Sequence, residues 1–350
     1  MWILEFHLRK RGYSINMELI DLSNLNMTTE ELFKLEDNSN VILEEINAPK
    51  YSYWKSVFRV FFSKKINVVI LILLAIVLIF TYIYPLFSNY NRFEFLLDNN
   101  SKHLYPLDAM KYHNEFSIKW LFGSGSSGES TFDALWDGAR VSITLAVICA
   151  IINMTIGSII GAIWGYSKKF DSIMMSIYNV IANIPYILYI SVFVLIFSSG
   201  FWPFVFALTL TGWLGIAYFI RTQVIIIRDR EYNLASRTLG TPIYRLIGKN
   251  IMPYLTSIIV TLVATEIPSY ISYEAFLSYL GLGLNGGING DTTKGVTSLG
   301  NMIAQAQSAM VTPGWEFEFW APVLVASFVT IVLYVVGQNL GDASDPRTHM

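Results

Sequence analysis

RTQVIIIRDREYNLASRTLGTPIYRLIGKNIMP, residues Arg221 to Pro253, lies between two apolar stretches that are each long enough to cross a membrane. Six of its residues are basic (Arg221, Arg228, Arg230, Arg237, Arg245, Lys249) and two are acidic (Asp229, Glu231). Tyr232 to Leu239 has few β-branched residues and is followed by Gly240, which predicts a short helix with a glycine C-cap. Thr241-Pro242 then offers an N-cap and a first-turn proline for a second helix, Ile243 to Asn250. A helical hairpin on the basic side of a membrane is well placed to receive a push from a soluble partner. An ordinary amphipathic loop is the alternative.

Working outward, the 350 residues are 53% hydrophobic and 14% charged, with mean hydropathy +0.47, too apolar for a typical soluble globule. Uncharged runs cover Ile66–Asn91, Val141–Ser167, Ser172–Ile220 and Phe319–Gly341, and another apolar stretch begins near Met252. The 49-residue run from Ser172 is interrupted by Ser198-Ser199-Gly200 and Pro203, so it divides into two spans. The result is an all-α polytopic membrane protein with six transmembrane helices, at about 66–87, 141–166, 171–197, 203–220, 254–276 and 319–341. Net charge of −2 says little here, because the distribution of basic residues governs orientation. The lone Cys149 falls inside a span and four scattered histidines suggest no metal cluster.

Residues 1–64 read as a cytoplasmic extension. Arg9-Lys10-Arg11 has no apolar core after it and is no signal peptide. The acidic stretch Glu30–Glu45 suits partial disorder or a short helix near Thr28–Leu35. Tyr51–Phe62 alternates aromatic and basic residues, which suits a helix lying in the interface. Loops 88–130 and 277–316 are extracellular in this reading, the first ending in GSGSSGES, a flexible surface link by composition. The glycine-rich second loop can form re-entrant or vestibule structure. Loop 221–253 is cytoplasmic. Lys55, Arg59, Lys64, Lys65, Lys168, Lys169 and the central loop's cations all fall on that side, with both termini, whereas loop 88–130 carries only Arg92, Lys102, Lys111 and Lys119.

Polar features inside the spans are few. Gly157, Gly161 and Gly165 recur every four residues and make one smooth helix face. Asn179 and Asn183 share a face before Pro185, which removes the donor for the carbonyl near Ile181; they are either helix–helix glue or the lining of a wet path. Glu266, beside Pro268, must face a cavity or a partner group, in a structural or a transport role. Glu274 lies near the far end of the same span.

The chain has no phosphate-binding Gly-x-x-x-x-Gly-Lys-Ser/Thr loop and no Ser-His-Asp, Cys-His or His-Glu-x-x-His arrangement, so it is not an enzyme. A secondary carrier would place ionisable groups at midplane, where only Glu266 and the asparagines stand. A channel lacks a filter-like repeat, and a purely structural scaffold leaves the hairpin without purpose. A permease worked by a separate ATPase accounts for both the missing nucleotide site and the conspicuous loop.

The central loop, with Leu234-Ala235-Ser236, Gly240 and Met252-Pro253, resembles the EAA-type coupling segment of binding-protein-dependent ABC importer permeases. Leu234 stands in the glutamate slot and Ser236 in the second alanine slot. WDGARVS (136–142), GYSKKFD (165–171), Pro185, YNLASRTLG (232–240), SYEAFLSYLGLG (272–283) and GDASDPR (341–347) sharpen the likeness to the C-type permease of the oligopeptide/dipeptide branch. Lys249-Asn250 replaces the Arg-His usual there, with little consequence expected, and about 50 N-terminal residues lie outside the family core. The resemblance implies a type I (MetI-like) importer fold in a bacterial cell membrane. It also implies a B-type permease partner, two ATPase subunits or domains holding ATP and Mg2+, and an extracellular lipid-anchored peptide-binding protein. No cofactor or nucleic acid is expected on this chain itself, only peptide and membrane lipid. Arg230, Glu231, Leu234, Ala235, Ser236, Arg237 and Gly240 would seat on the ATPase, the small residues allowing close approach and the charges pairing. Asn179, Asn183 and Glu266 would line the path for oligopeptide, dipeptide or, within related permeases, a nickel complex.

Overall fold

Helices make up every regular element among the described residues, apart from one isolated antiparallel bridge, Ser124 to Ser130. The computed structural model describes residues 53–88, 108, 110, 117–125, 129–197, 200–284, 298–313 and 316–344. The expectations for residues 1–50, for most of loop 88–130, for positions 285–297 of the glycine-rich loop and for the end of GDASDPR lie outside them.

The helices are α1 (Tyr53–Ser63), α2 (Lys65–Phe87), α3 (Thr131–Tyr166), α4 (Lys168–Ala182), α5 (Tyr186–Phe197) and α6 (Phe201–Arg228). After these come α7 (Glu231–Thr238), α8 (Ile243–Leu246), α9 (Met252–Tyr279), α10 (Leu299–Gln305) and α11 (Glu316–Ser344). Five are long and apolar enough to cross a membrane: α2, α3, α6, α8 running on into α9, and α11. The α4–α5 pair is apolar enough to join them, bent by 80° at its break, which gives a sixth crossing where the pair forms one span. The protein is therefore a multi-pass, all-α membrane protein.

That bend corrects the expectation of one helix over 171–197. Pro185 has no N–H and disfavours helical geometry in the residue before it, so the helix stops at Ala182. The Ile181 carbonyl is not left free, because Ile184 donates its backbone N–H to it at 3.0 Å.

Helix α3 is the centre of the packing. Its Gly157, Gly161 and Gly165 press against α6 so closely that an added Cβ at Gly161 would lie 2.5 Å from the Ala217 carbonyl oxygen. At Gly165 it would lie 2.7 Å from that of Arg221. Small residues at four-residue spacing let the two backbones approach, where dispersion and packing rather than water exclusion hold membrane helices together. Around this seam Leu145, Ala146, Cys149, Phe204, Leu208, Tyr270 and Val329 form the largest buried cluster. At the seam the Asn153 amide N–H donates to the Tyr270 hydroxyl at 2.5 Å.

Helix α1 buries Val57 and Phe61 against Ala343 of α11 and exposes Trp54, Phe58 and Phe62 in a row, the division an interfacial helix requires. The described ends of the GSGSSGES segment, residues 123–125 and 129–130, are packed rather than a free surface link. Gly123, with φ +76°, turns the chain, Ser124 pairs with Ser130, and Ser130 caps α3 by accepting from the Asp133 N–H at 3.2 Å. Gly123, Ser124 and Gly125 are buried, so the composition misleads because close packing and surface flexibility both select small residues.

Candidate functional site

Three features distinguish the molecule: the turn between α6 and α9, a cavity at the break in the bent span, and a buried carboxylate at the opposite end of α9.

The turn begins where Arg221 of α6 grips Asp171 at the start of α4, Nε at 2.5 Å and Nη2 at 2.9 Å. Trp164 Nε1 donates to the same carboxylate at 2.7 Å, and the guanidinium lies 5.6 Å from the Trp164 ring centre. Two helical turns later Arg228 donates to the Gly165 carbonyl at 3.0 Å, serving a C-terminal carbonyl of α3 that the helix cannot satisfy. It also pairs with Asp229 at 2.9 Å, and this hydrogen bond holds the Asp229 carboxyl below the usual carboxylate range.

Helix α7 then projects from this anchored end. Its one buried side chain is Asn233, which donates to the Ile227 carbonyl at 2.8 Å. Asn250 donates to Asn233 Oδ1 at 3.2 Å and lies 3.4 Å from Ser236 Oγ. Tyr232 stacks on Tyr254 with centroids 6.0 Å apart, and Arg237 lies 5.9 Å from the Tyr166 ring centre. The helix closes as the sequence predicts: Gly240 has φ +78°, its N–H bonds the Arg237 carbonyl at 3.0 Å, and the Thr241 N–H bonds that of Ser236 at 3.1 Å. This is the left-handed closing turn that glycine adopts without a Cβ penalty.

The second arm differs from expectation. Helix α8 is a single turn, and a π-helical turn, Ile247–Ile251, joins it directly to α9, so no separate helix runs to Asn250. Pro253 cannot donate to the Lys249 carbonyl and its ring crowds it, and the widened turn just before it accommodates that misfit. Pro242, rather than Thr241, takes the N-cap position. Leu246 and Ile251 are fully buried with Ile220 and Val224, so the turn is rigidly joined to α6 and α9.

Of the residues singled out from sequence, Arg230, Glu231, Leu234, Ala235, Arg237 and Gly240 are exposed and Ser236 is half-buried. Leu239 is 86% and Tyr244 75% exposed, and with Leu234 and Ile243 they give the tip an apolar surface. Asn233, Asn250, Arg228 and Asp171 were missed. Asn233 sits inside the quoted YNLASRTLG, but its inward direction depends on where α7 leaves α6, which no local pattern specifies.

Beside the bend lies a cavity of about 380 Å3 lined by Ile184, Pro185, Tyr186, Tyr189, Tyr273 and Glu266, among others. Glu266 thus faces a cavity. Asn179 and Asn183 do not line it; both are exposed, and Asn183 donates to the Asn179 carbonyl.

At the far end of α9, Glu274 is fully buried and accepts from Ser298 at 2.6 Å, Ser142 at 3.0 Å, Ser278 at 3.1 Å and the Gly300 N–H at 3.3 Å. One carboxylate so joins α3, α9 and α10. An added Cβ on Gly283 would overlap Asn301 Oδ1 and one on Gly300 would lie 2.7 Å from the Ala275 Cα, which is why this end is glycine-rich. Among the described residues no group of three or more His, Cys, Asp or Glu could hold a metal ion.

Residues 154–350 match the family described as binding-protein-dependent transport system inner membrane component, and residues 52–106 match the N-terminal TM domain of oligopeptide transport permease C. The chain is 45% identical to the oligopeptide transport system permease protein AmiD of Streptococcus pneumoniae over 327 residues, 91% of this chain and 98% of that protein. It is 33% identical to the Bacillus subtilis oligopeptide transport system permease protein OppC, covering 87% of this chain and 93% of that protein. Identity to the dipeptide transport system permease protein DppC of the same organism is 30%, covering 92% and 94%.

Proposed function

Because this chain belongs to the family of binding-protein-dependent transport-system inner-membrane components, in its oligopeptide and dipeptide permease branch, we propose that α7 is its coupling element to an ATPase. The chain is a non-catalytic membrane permease component of an ATP-binding-cassette importer. Such membership implies a second permease, ATPase subunits and a substrate-binding protein as partners. The finer assignment is a B-type permease, two cytoplasmic ATPase domains and an extracellular lipid-anchored protein that delivers oligopeptide or dipeptide. In this reading the α7 side of the membrane is cytoplasmic, with both termini. Residues 1–64 form the cytoplasmic extension, 65–350 the permease domain, and 88–130 and 277–316 the extracellular loops.

One observation carries the proposal. Helix α7 exposes Leu234, Ala235 and Arg237, the turn after it and α8 expose Leu239 and Tyr244, and the buried side of α7 is tied to α6 through Asn233 and to the π-helical turn before α9 through Asn250. A force on the exposed face is delivered to two membrane-crossing helices at once. Leu234, Leu239 and Tyr244 fit an apolar groove on the ATPase, with Arg230, Glu231 and Arg237 pairing charges at its rim. Closure of the ATPases on ATP moves α7, and α6 and α9 turn with it, switching access from one side to the other. Glu266 and the cavity at the bend contribute part of the path. Asn179 and Asn183, being exposed, are assigned to the face toward the second permease.

Vesicles carrying the two permeases, the ATPases and the binding protein should accumulate labelled peptide with ATP. Accumulation driven by an ion gradient without the ATPases would contradict the assignment.

A further inference from the structure

The cavity at the bend has an unusual lining for a space between membrane helices. Among the described residues its titratable and aromatic lining is one carboxylate, Glu266, and five tyrosines, Tyr178, Tyr186, Tyr189, Tyr270 and Tyr273, with no lysine, arginine or histidine. Two of the phenols are fixed in place. Tyr186 donates its hydroxyl proton to the Leu208 carbonyl at 2.7 Å, which leaves its oxygen lone pairs free to accept. Tyr270 accepts from Asn153, one turn of α9 beyond Glu266, and the Oδ1 of the fully buried Asn153 has no hydrogen-bond partner. Ring pairs Tyr186–Tyr189 and Tyr186–Tyr273, with centroids 5.0 Å and 4.9 Å apart, hold the aromatic wall together.

A carboxylate, phenol oxygens and ring faces are together what an organic ammonium requires: three N–H donors to place, one positive charge to balance, and a π surface for its flank. The lining offers no positive charge to balance an anion, and the Glu266 carboxylate would repel one. At about 380 Å3 the space exceeds what a bare metal ion needs and falls in the range of small-molecule sites, about 300–1,000 Å3.

We propose that the Glu266–tyrosine cavity is a way-station for a primary ammonium of the peptide cargo, either its α-amine or a lysine side chain. This rests on the importer reading above and deepens it. Glu266 receives the ammonium as the peptide passes the bend, and the tyrosine wall replaces part of its hydration shell. The remainder of the peptide makes no specific contact here, so passage stays broad in sequence while favouring a charged terminus.

The test uses the full reconstituted complex with wild-type chain or Glu266→Gln and three labelled tetrapeptide amides of otherwise identical neutral sequence. One has a free α-amine, one is N-acetylated, and one is N-acetylated with a single lysine. For each peptide the uptake ratio of variant to wild type is taken, which cancels the binding protein's own preference. The ratio should fall at least about fivefold for the free-amine peptide, the lysine peptide or both, and less than about twofold for the neutral peptide. Which of the two charged peptides responds identifies the source of the ammonium. Equal loss for all three, as a purely packing role for Glu266 would give, overturns the proposal, and so does no loss for any. Uptake of the neutral peptide by the wild-type complex reports separately on the importer reading, which fails only if no peptide accumulates.

Discussion

Asn250 donates its side-chain amide to Asn233 Oδ1 at 3.2 Å, so the turn preceding α9 grips the buried face of α7. Through the bond from Asn233 to the Ile227 carbonyl the same contact reaches α6. Two amides thereby make one mechanical unit of α6, α7 and the start of α9. Elementary chemistry explains the choice of residue: an amide both donates and accepts, so it can bridge a carbonyl and another amide in a buried spot where a charge would be costly.

Replacing Asn233 with Ala removes one bond to the Ile227 carbonyl, which keeps the Arg230 N–H at 3.2 Å, and one from the Asn250 amide, which keeps Ser236 Oγ at 3.4 Å. Each lost bond costs about 0.5–1.5 kcal/mol. The expected outcome is a complex that inserts and hydrolyses ATP but responds weakly to peptide-loaded binding protein, measured as the ratio of stimulated to basal ATPase rate. Asn250→Ala should act in the same direction but less, because Asn233 keeps its bond to α6.

Gly240→Val places a β-branched residue at φ +78°. Left-handed backbone costs a residue with a Cβ roughly 1–2 kcal/mol, and more for a branched one. No neighbouring atom lies within 4 Å of the added Cβ, so the effect is purely conformational. Peptide uptake should be blocked with membrane abundance unchanged, whereas Gly240→Asn should retain most of it, since asparagine tolerates this region. Uptake and immunoblotted membrane content check both variants.

Gly161→Leu drives a side chain into the Ala217 carbonyl, 2.5 Å from where its Cβ must sit. Backbone cannot yield as a flexible side chain can, so α3 and α6 must separate. The folded chain should be recovered from detergent at a small fraction of the wild-type amount by size-exclusion chromatography, while Gly215→Ala, with no atom within 4 Å of its added Cβ, should be recovered normally.

Glu274→Leu removes the acceptor shared by Ser142, Ser278, Ser298 and the Gly300 N–H. The loss should be at least about 2 kcal/mol, seen as a drop of several degrees in the melting temperature of the solubilised protein. Glu274→Gln keeps an acceptor oxygen and should fall between.

Much of this architecture is legible along the chain because membrane helices announce themselves by length and apolarity. The glycine ladder at 157, 161 and 165 foretells the α3–α6 seam, and Gly240 foretells the end of α7. Other features depend on contacts between distant residues. Glu274 meets Ser142 across 132 positions, and Arg221 meets Asp171 across 50, pairings that no local pattern encodes. The bend at Pro185 was half visible: the proline marked a lost donor, but the 80° change of direction belongs to how α5 packs on α6 and α9. Asn179 and Asn183 share an exposed face outside the cavity beside Glu266, and their spacing does not say what that face meets.

The measurement closest to the central claim exploits the buried Cys149, the chain's only cysteine, which leaves little background for a second thiol. Ala235→Cys, on the exposed side of α7, should form a cross-link to the ATPase subunit in membranes of the intact complex, with a yield that changes when ATP is bound. It should resist a membrane-impermeant thiol reagent applied to whole cells. Labelling from outside the cell, or no cross-link to the ATPase in any nucleotide state, would contradict the assignment of α7 as the place where the work of ATP hydrolysis enters this chain.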